Sequence, residues 1–341
     1  MAVTIKDVAR ETNLAISTIS KYMNGGKVRP ENQKMIDLAI RKLGYRPNDN
    51  ARGLRSAKTY TIGVLIDSLG SQYFAKITHL IEKILKKEGY SILVCCHKDN
   101  TAAAKKAVEF LVSKQVDGII IEPVAGEEDY TVPILQNKIP FVAIDRAVGH
   151  IKSDRVMSNS TFGAYQATEY LIQNGHKKIS IITGTSETNS GLLAAKERYR
   201  GYLRAMEDYE LTLQDEYIIE GNFKFESGYE CMQKLWKLKK RPTAVFVSNY
   251  NMCLGAMTAI HNMKISIPEE LSFITFDDLE FSVISNPMLN AIRQPMEKMA
   301  EKAVELLLRR IDGDYTDYPQ NIKLPTELVV RDSVAQYKGT L

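Results

Sequence analysis

From Ile62 onward the chain repeats one rhythm: a strand-length run of apolar, often β-branched residues, then a longer stretch with helical spacing. The runs Ile62–Ile66, Ile92–Cys96, Gly118–Ile121 and Phe141–Ile144 alternate with helical stretches such as Tyr73–Glu88 and Ala102–Ser113. A strand that is apolar at nearly every position must be covered on both faces, and crossover helices supply that cover. The pattern predicts an α/β fold with a doubly wound parallel sheet. A second series follows, Ile179–Thr183, Ala244–Val247 and Leu271–Phe276, interleaved with helices near Gly163–Asn174, Ala194–Asp208 and Met252–Met263. Two such sheets make two lobes. Ligands of open α/β sheets sit beyond the carboxyl ends of the strands, so a cleft between lobes is the expected binding place.

Upstream of this body the rhythm is different and the charge is too. The whole chain of 341 residues carries a net charge of +4, yet residues 1–58 hold 12 Lys/Arg against 5 Asp/Glu. The remainder holds 33 against 36. A basic head on a near-neutral body implies that the head meets a polyanion. Ile5–Thr12 has the spacing of a short helix, with Ile5, Val8 and Ala9 on one face and Thr4 and Asp7 placed as a capping box. Asn13 tolerates the left-handed conformation of a tight turn. A second helix, Ser17–Met23, places Ile19 and Met23 inward and leaves Ser17, Thr18, Lys21 and Tyr22 outside. Pro30 opens a third helix whose expected apolar stripe is Met35, Leu38, Ala39 and Leu43, and Gly44 closes it. Short helices around a sharp turn describe an all-α helix-turn-helix head. A bundle with a merely solvated face fits the pattern equally.

The strings IKDVARETNLAISTISKYMN and KLGYRPNDNARGLR are specific. They closely resemble the head and hinge of the lactose-repressor/galactose-repressor family of bacterial regulators. That resemblance implies base-reading roles for Ile16, Ser17 and Lys21, beside Thr18 on the same helix. It implies phosphate contacts or bracing by Thr4, Ser20 and Asn24. It also implies a hinge helix near Asn48–Ser56 that orders on operator DNA, with Leu54 wedged into the minor groove. Three departures bear on this. Lys21 stands where the family usually has Arg, losing the two-pronged match to guanine. Ala15 replaces a Ser and removes a helix cap worth roughly 1 kcal/mol. Gly53 lowers the hinge helix's intrinsic stability by ~1 kcal/mol.

The body resembles the same family, and through it the periplasmic sugar-binding proteins, in TIGVLI, VDGIII, VAIDR, ATEYLIQNGHKKISIITG, ERYRGYLRAM, FESGYE, RPTAVFVSN, IPEELSFITFDD, IRQP and LPTELVVRDS. By that resemblance the domains are 1–47 (head), 48–59 (hinge) and 60–341 (effector binding and dimerisation). The chain would cross between lobes three times, with lobe 1 about 60–160 and 292–323 and lobe 2 about 161–291 and 324–341. Effector positions map onto Tyr73, Phe74, Asp145, Arg198, Phe223, Asn249 and Asp277. Carboxylates, an amide and a guanidinium suit the hydroxyls of a saturated ring, and Phe223 offers a flat apolar face to it. A sugar or sugar derivative is the expected effector, and both inducer and co-repressor action fit. Tyr250 and Ser158 depart from the family pattern at this site, each standing where Asp is usual.

The expected function is therefore a sequence-specific transcriptional repressor, a homodimer on a pseudo-palindromic operator. The alternative is a carbohydrate-binding protein without DNA function, which would need an export signal. The polar start (Thr4, Lys6, Asp7) offers no such signal, and no apolar run reaches the ~18 residues of a membrane span, so a cytoplasmic location and no membrane partner are expected. An enzyme is not expected: Ile62–Ile66 runs into DSLGSQ rather than G-x-G-x-x-G, and neither G-x-S-x-G nor H-E-x-x-H occurs. Cys95, Cys96, Cys231 and Cys253 lack metal-ligand spacing, so no metal or cofactor is expected.

Overall fold

The computed structural model describes residues 3–23, 26–45, 58–124, 129–146, 149, 151–184 and 193–338. The chain divides into two units, Met1–Tyr60 and Thr61–Leu341.

The first unit holds helices α1 (Ile5–Thr12), α2 (Ile16–Met23) and α3 (Pro30–Leu43). Asn13 makes the turn between α1 and α2 at φ 52°, and Gly44 ends α3 at φ 62°. Val8, Ile19, Ile36 and Ala39 form the buried centre, with Ile5, Ala9, Leu14, Tyr22, Met23, Ile40 and Leu43 packed around it. The expected stripe of α3 is corrected here: Met35 is 46% and Leu38 71% exposed. Ile36, Ala39, Ile40 and Leu43 follow the i, i+3, i+4, i+7 spacing, and the apolar pair Met35/Leu38 lies one step round the helix. Tyr22 is also corrected. It is half-buried, because its ring packs on the core while its hydroxyl donates to Asp37 at 2.8 Å. The expected contacts Asn24 and Leu54, and nearly all of the expected hinge, lie outside the described residues.

The second unit is built on two six-stranded sheets. The first contains β1 (Thr61–Ile66), β2 (Ser91–Cys96), β3 (Gly118–Ile121), β4 (Phe141–Ile144), β5 (Asp154–Ser158) and β11 (Asn321–Leu324), in the order β11-β5-β4-β3-β1-β2. All its pairings are parallel. The second contains β6 (Ile179–Gly184), β7 (Ile218–Gly221), β8 (Ala244–Val247), β9 (Ser272–Phe276), β10 (Asn290–Arg293) and β12 (Glu327–Val329), in the order β12-β10-β9-β8-β6-β7. It is parallel except for the edge strand β12. Strands β3, β4, β8 and β9 are buried at every position, as continuous apolar runs require.

Sheet membership changes three times along the body: after Ser158, after Arg293 and after Leu324. The returning helix Met296–Ile311 packs on β3, β4 and β5 of the first sheet. It is pinned there by a buried ion pair, Arg310 Nε to Asp154 Oδ2 at 2.7 Å, with side chains 1% and 0% exposed. Asp154 also accepts the Gln320 backbone N–H at 2.6 Å, just before β11. In the second lobe glycines let helices touch backbone to backbone. A Cβ on Gly228 or Gly255 would collide with the facing helix, so Phe225–Trp236 and Tyr250–Met263 meet as closely as their sequences allow.

Candidate effector cleft and DNA-reading helix

The ends of the strands gather one polar cleft in the second unit. It encloses about 600 Å³ including its open mouth. Asp67 follows β1, Asp145 and Arg146 follow β4, and Ser71, Tyr73 and Phe74 begin the helix Gln72–Lys87. From the other lobe come Arg198, Phe223 after β7, Asn249–Asn251 after β8, and Asp277 after β9. All seven residues expected at the effector site line this cleft together. The backbone is bent to present three of them: Asp145, Phe223 and Asp277 have φ of 64°, 64° and 77°. Non-glycine residues hold such conformations at a cost of order 1–3 kcal/mol each, and they concentrate where ligands bind. Gly184 serves Phe223 directly, since any Cβ there would strike the phenyl ring.

Hydrogen bonds fix the polar groups. Gln294, at the second change of sheet, joins the two lobes. Its carbonyl oxygen accepts from Ser158 Oγ (2.6 Å) and Tyr73 Oη (3.5 Å), and its amide donates to Asp277 Oδ1 (2.6 Å). The single Tyr73 hydroxyl hydrogen is shared with Asp145, the nearer acceptor at 3.1 Å. Burial, reinforced by the nearby Asp145 and Asp277, holds the Tyr73 phenol well above its ordinary range and keeps it a donor. Burial pushes the Asp277 carboxyl up, while Arg198 and the Gln294 amide pull it back. Asp277 also accepts the Tyr250 N–H at 3.3 Å. Arg198 donates to the Ser248 carbonyl at 2.6 Å and lies 3.8 Å over the Phe276 ring, leaving its buried Nε without a partner. Asn249 is more constrained than a free hydroxyl partner: its side-chain oxygen caps the helix Tyr250–Met263 by accepting the Met252 N–H at 2.9 Å. Only its amide hydrogens are left to donate.

Behind the first-lobe wall, Glu122 is fully buried and ion-paired to Arg146 Nη2 at 2.9 Å. It also accepts the Asp67 N–H at 2.7 Å. Burial pushes its carboxyl up to about 8, with the Arg146 guanidinium pulling the other way. Asp67, Ser71, Arg146, Asn251 and Gln294 join the cleft beyond the residues expected from sequence. Asp67 and Arg146 were available from position, directly after apolar strand runs, and Gln294 from the IRQP string.

In the head, Ser17 and Lys21 are exposed four residues apart on α2, hence on one face, and Ile16, Thr18 and Ser20 are half-buried. Lys27 and Arg29 are exposed just beyond. The Thr4 hydroxyl and N–H both donate to the Asp7 carboxylate (2.7 and 2.9 Å), which holds that carboxyl below its usual range. These bonds brace the start of α1.

Residues 4–48 match the model of bacterial regulatory proteins of the lacI family, and residues 168–334 match the periplasmic binding protein-like domain. The HTH-type transcriptional repressor PurR of Actinobacillus pleuropneumoniae serotype 3 (strain JL03) is 36% identical over 334 residues, covering 97% of this chain and 98% of that protein. The chain belongs to the lacI family of bacterial regulatory proteins. A second LacI-family relative, PurR of Pasteurella multocida (strain Pm70), is 35% identical with the same coverage, 97% and 98%. Among solved structures, the Lac repressor dimer bound to operator and the anti-inducer ONPF shares the fold at a TM-score of 0.86 and 24% identity, over 98% of this chain and 100% of that one. The transcriptional regulator CelR–cellobiose complex does so at 0.74 and 24%, over 97% and 99%. As a LacI-family member the protein is a ligand-responsive, DNA-binding transcriptional regulator and not an enzyme. The alternative of a carbohydrate-binding protein without DNA function is not favoured, because the head matches along with the body. Among the described residues no helix is long and apolar enough to cross a membrane.

Proposed function

We propose that this regulator is a cytoplasmic, homodimeric repressor that reads a pseudo-palindromic operator and answers to a sugar or sugar-like effector in the cleft. The observation that carries the effector site is the convergence of Tyr73, Phe74 and Asp145 with Arg198, Phe223, Asn249 and Asp277 around one opening. Donors and acceptors are interspersed there with aromatic faces, the mixture a ring with many hydroxyls needs. The cellobiose in the CelR complex, and the ribose bound to a LacI-family regulator from Enterococcus faecium, support a saccharide in a body of this fold. Gln294 makes the site responsive, since a ligand that competes for Asp277 or Tyr73 alters the bonds joining the lobes. Effector and operator then bias one equilibrium, and each changes the other's affinity by the same factor, usually 5- to 150-fold. Thermal-shift screening of mono- and disaccharides, followed by operator gel shifts with and without the best of them, tests the proposal. A ligand that stabilises the protein yet leaves operator affinity unmoved would count against it.

On DNA, Ile16, Ser17, Thr18 and Lys21 read bases from α2, with Thr4, Ser20 and Asn24 on the backbone and Leu54 as the minor-groove wedge. Specific binding should fall linearly with log salt. Lys21→Ala is expected to weaken operator binding about tenfold and to relax the base preference at the position it reads, measured by fluorescence anisotropy on operator variants.

Homodimerisation is supported by apolar residues exposed on the second lobe. Val283 (49%), Ile284 (77%) and Met288 (42%) lie together on the segment after β9, and Asp332, two residues past the exposed Val330, donates its N–H to Met288. Ile284→Glu is expected to raise the dimer dissociation constant at least about tenfold by sedimentation, because a charge would be buried unpaired.

A further inference from the structure

The charges of the cleft say which kind of sugar it takes. Among the described residues three carboxylates line it, Asp67, Asp145 and Asp277, against two guanidiniums, Arg146 and Arg198. Each guanidinium already has partners within the protein, and its buried Nε is left without a hydrogen-bond partner. Arg146 has Glu122 at 2.9 Å, Asp99 at 3.7 Å and Asp145 at 3.9 Å. Arg198 is buried, bonded to the Ser248 carbonyl and seated on the Phe276 ring. Among the described residues no lysine or histidine lines the opening.

The helix starts at the cleft do not supply the missing positive charge. At Tyr250–Met263 the N–H of Tyr250 is taken by the Asp277 carboxylate and that of Met252 by Asn249. At Gln72–Lys87 a helix start offers about half a positive charge. Beside it stand the full charges of Asp145 and Asp67. Asp145 at least accepts the Tyr73 hydroxyl. For the Asp67 carboxylate no hydrogen bond or ion pair is found among the described residues, although its backbone N–H is held by Glu122.

We infer that the effector is an unphosphorylated sugar, neutral or amine-bearing, and that Asp67 is the specificity-determining residue that turns phosphorylated forms away. The inference rests on the sugar-effector reading above and adds the charge of the ligand to it. A phosphate brought against Asp67 and Asp145 meets like charge at close range, where salt screens little. A hydroxyl or an ammonium at the same place would instead donate to Asp67.

The test uses the full chain and matched probes: glucose, glucosamine and glucose 6-phosphate, and ribose with ribose 5-phosphate, by calorimetric titration. At least one neutral or amino sugar should bind, with its phosphate at least about tenfold weaker. Asp67→Asn should shrink that gap several-fold, chiefly by strengthening the binding of the phosphate ester, and its melting curve checks that it is folded. A phosphate ester that binds as well as or better than its parent sugar overturns the inference. So does a gap that Asp67→Asn leaves unchanged, or closes only by weakening the neutral sugar. If none of these probes binds while a flat heteroaromatic base does, the sugar-effector reading itself falls, and this inference with it; sugar binding without discrimination defeats only the inference.

Discussion

Arg310→Met is expected to destabilise the body by about 3–5 kcal/mol, because it strands the Asp154 carboxylate in a dry interior. For a unit of this size that corresponds to a melting temperature lower by roughly 10 °C in a thermal scan. The geometry explains the size of the effect. Arg310 meets Asp154 through Nε at 2.7 Å and Nη2 at 3.2 Å, and Nη2 also reaches Asp317 at 2.9 Å. Those carboxylates hold the guanidinium's proton affinity above its already high ordinary value. Without the arginine, Asp154 keeps the Gln320 N–H but no counter-charge. The double variant Asp154→Asn, Arg310→Met should recover more than half of the loss, since removing both charges removes the penalty that the single change exposes. A single variant as stable as the parent would show that water reaches Asp154. The pair also lies between β5 and the helix that returns from the second lobe, so losing it should loosen the first lobe while leaving the head's own core of Val8, Ile19 and Ile36 untouched.

Much of this architecture is legible in residue pattern alone, and the reason is burial. Gly118–Ile121, Phe141–Ile144 and Ala244–Val247 are covered on both faces, so every position is apolar and the runs announce their own limits. The strands that escaped notice carry mixed patterns. Asp154–Ser158 begins with the buried half of an ion pair, Asn290–Arg293 starts with an asparagine bonded to Ser333 and ends exposed, and Ile218–Gly221 and Asn321–Leu324 are sheet edges. On α3 two apolar stripes compete, Met35/Leu38 against Ile36/Ile40, and local spacing cannot say which one a neighbour will cover. The cleft divides in the same way. Tyr73, Phe74, Asp145, Arg198, Phe223, Asn249 and Asp277 are visible through family strings, whereas Asp67, Arg146 and Gln294 matter through what they touch across 24 to 221 residues of chain. Local pattern carries no trace of contacts that distant.

Arg198→Ala is expected to lower effector affinity about 10- to 100-fold while operator binding in the absence of effector stays within a few-fold. Hydrogen bonds from a charged donor are worth about 1.5–3 kcal/mol, and 1.4 kcal/mol is tenfold in affinity. Two consequences of the substitution act together. The donors of the guanidinium disappear from the cleft wall, including the Nε that has no partner within the protein. Asp277 also loses the positive charge that offsets its burial, so its carboxyl moves further up and becomes a poorer acceptor for a sugar hydroxyl. Arg198→Lys should fall between the two, because an ammonium keeps the charge but cannot reproduce a flat guanidinium on the Phe276 ring at 3.8 Å. The pair of variants separates the causes. If charge dominates, lysine restores most of the affinity in calorimetric titration; if the fork and its seat on the ring dominate, lysine is nearly as poor as alanine. A fully responsive Arg198→Ala protein, regulated by effector as tightly as the parent, would remove this side chain from the site. The shape of the cleft argues against that result, since Arg198 and Asp277 oppose each other in the same buried wall and Asp277 leads through Gln294 to both hydroxyls of the first lobe.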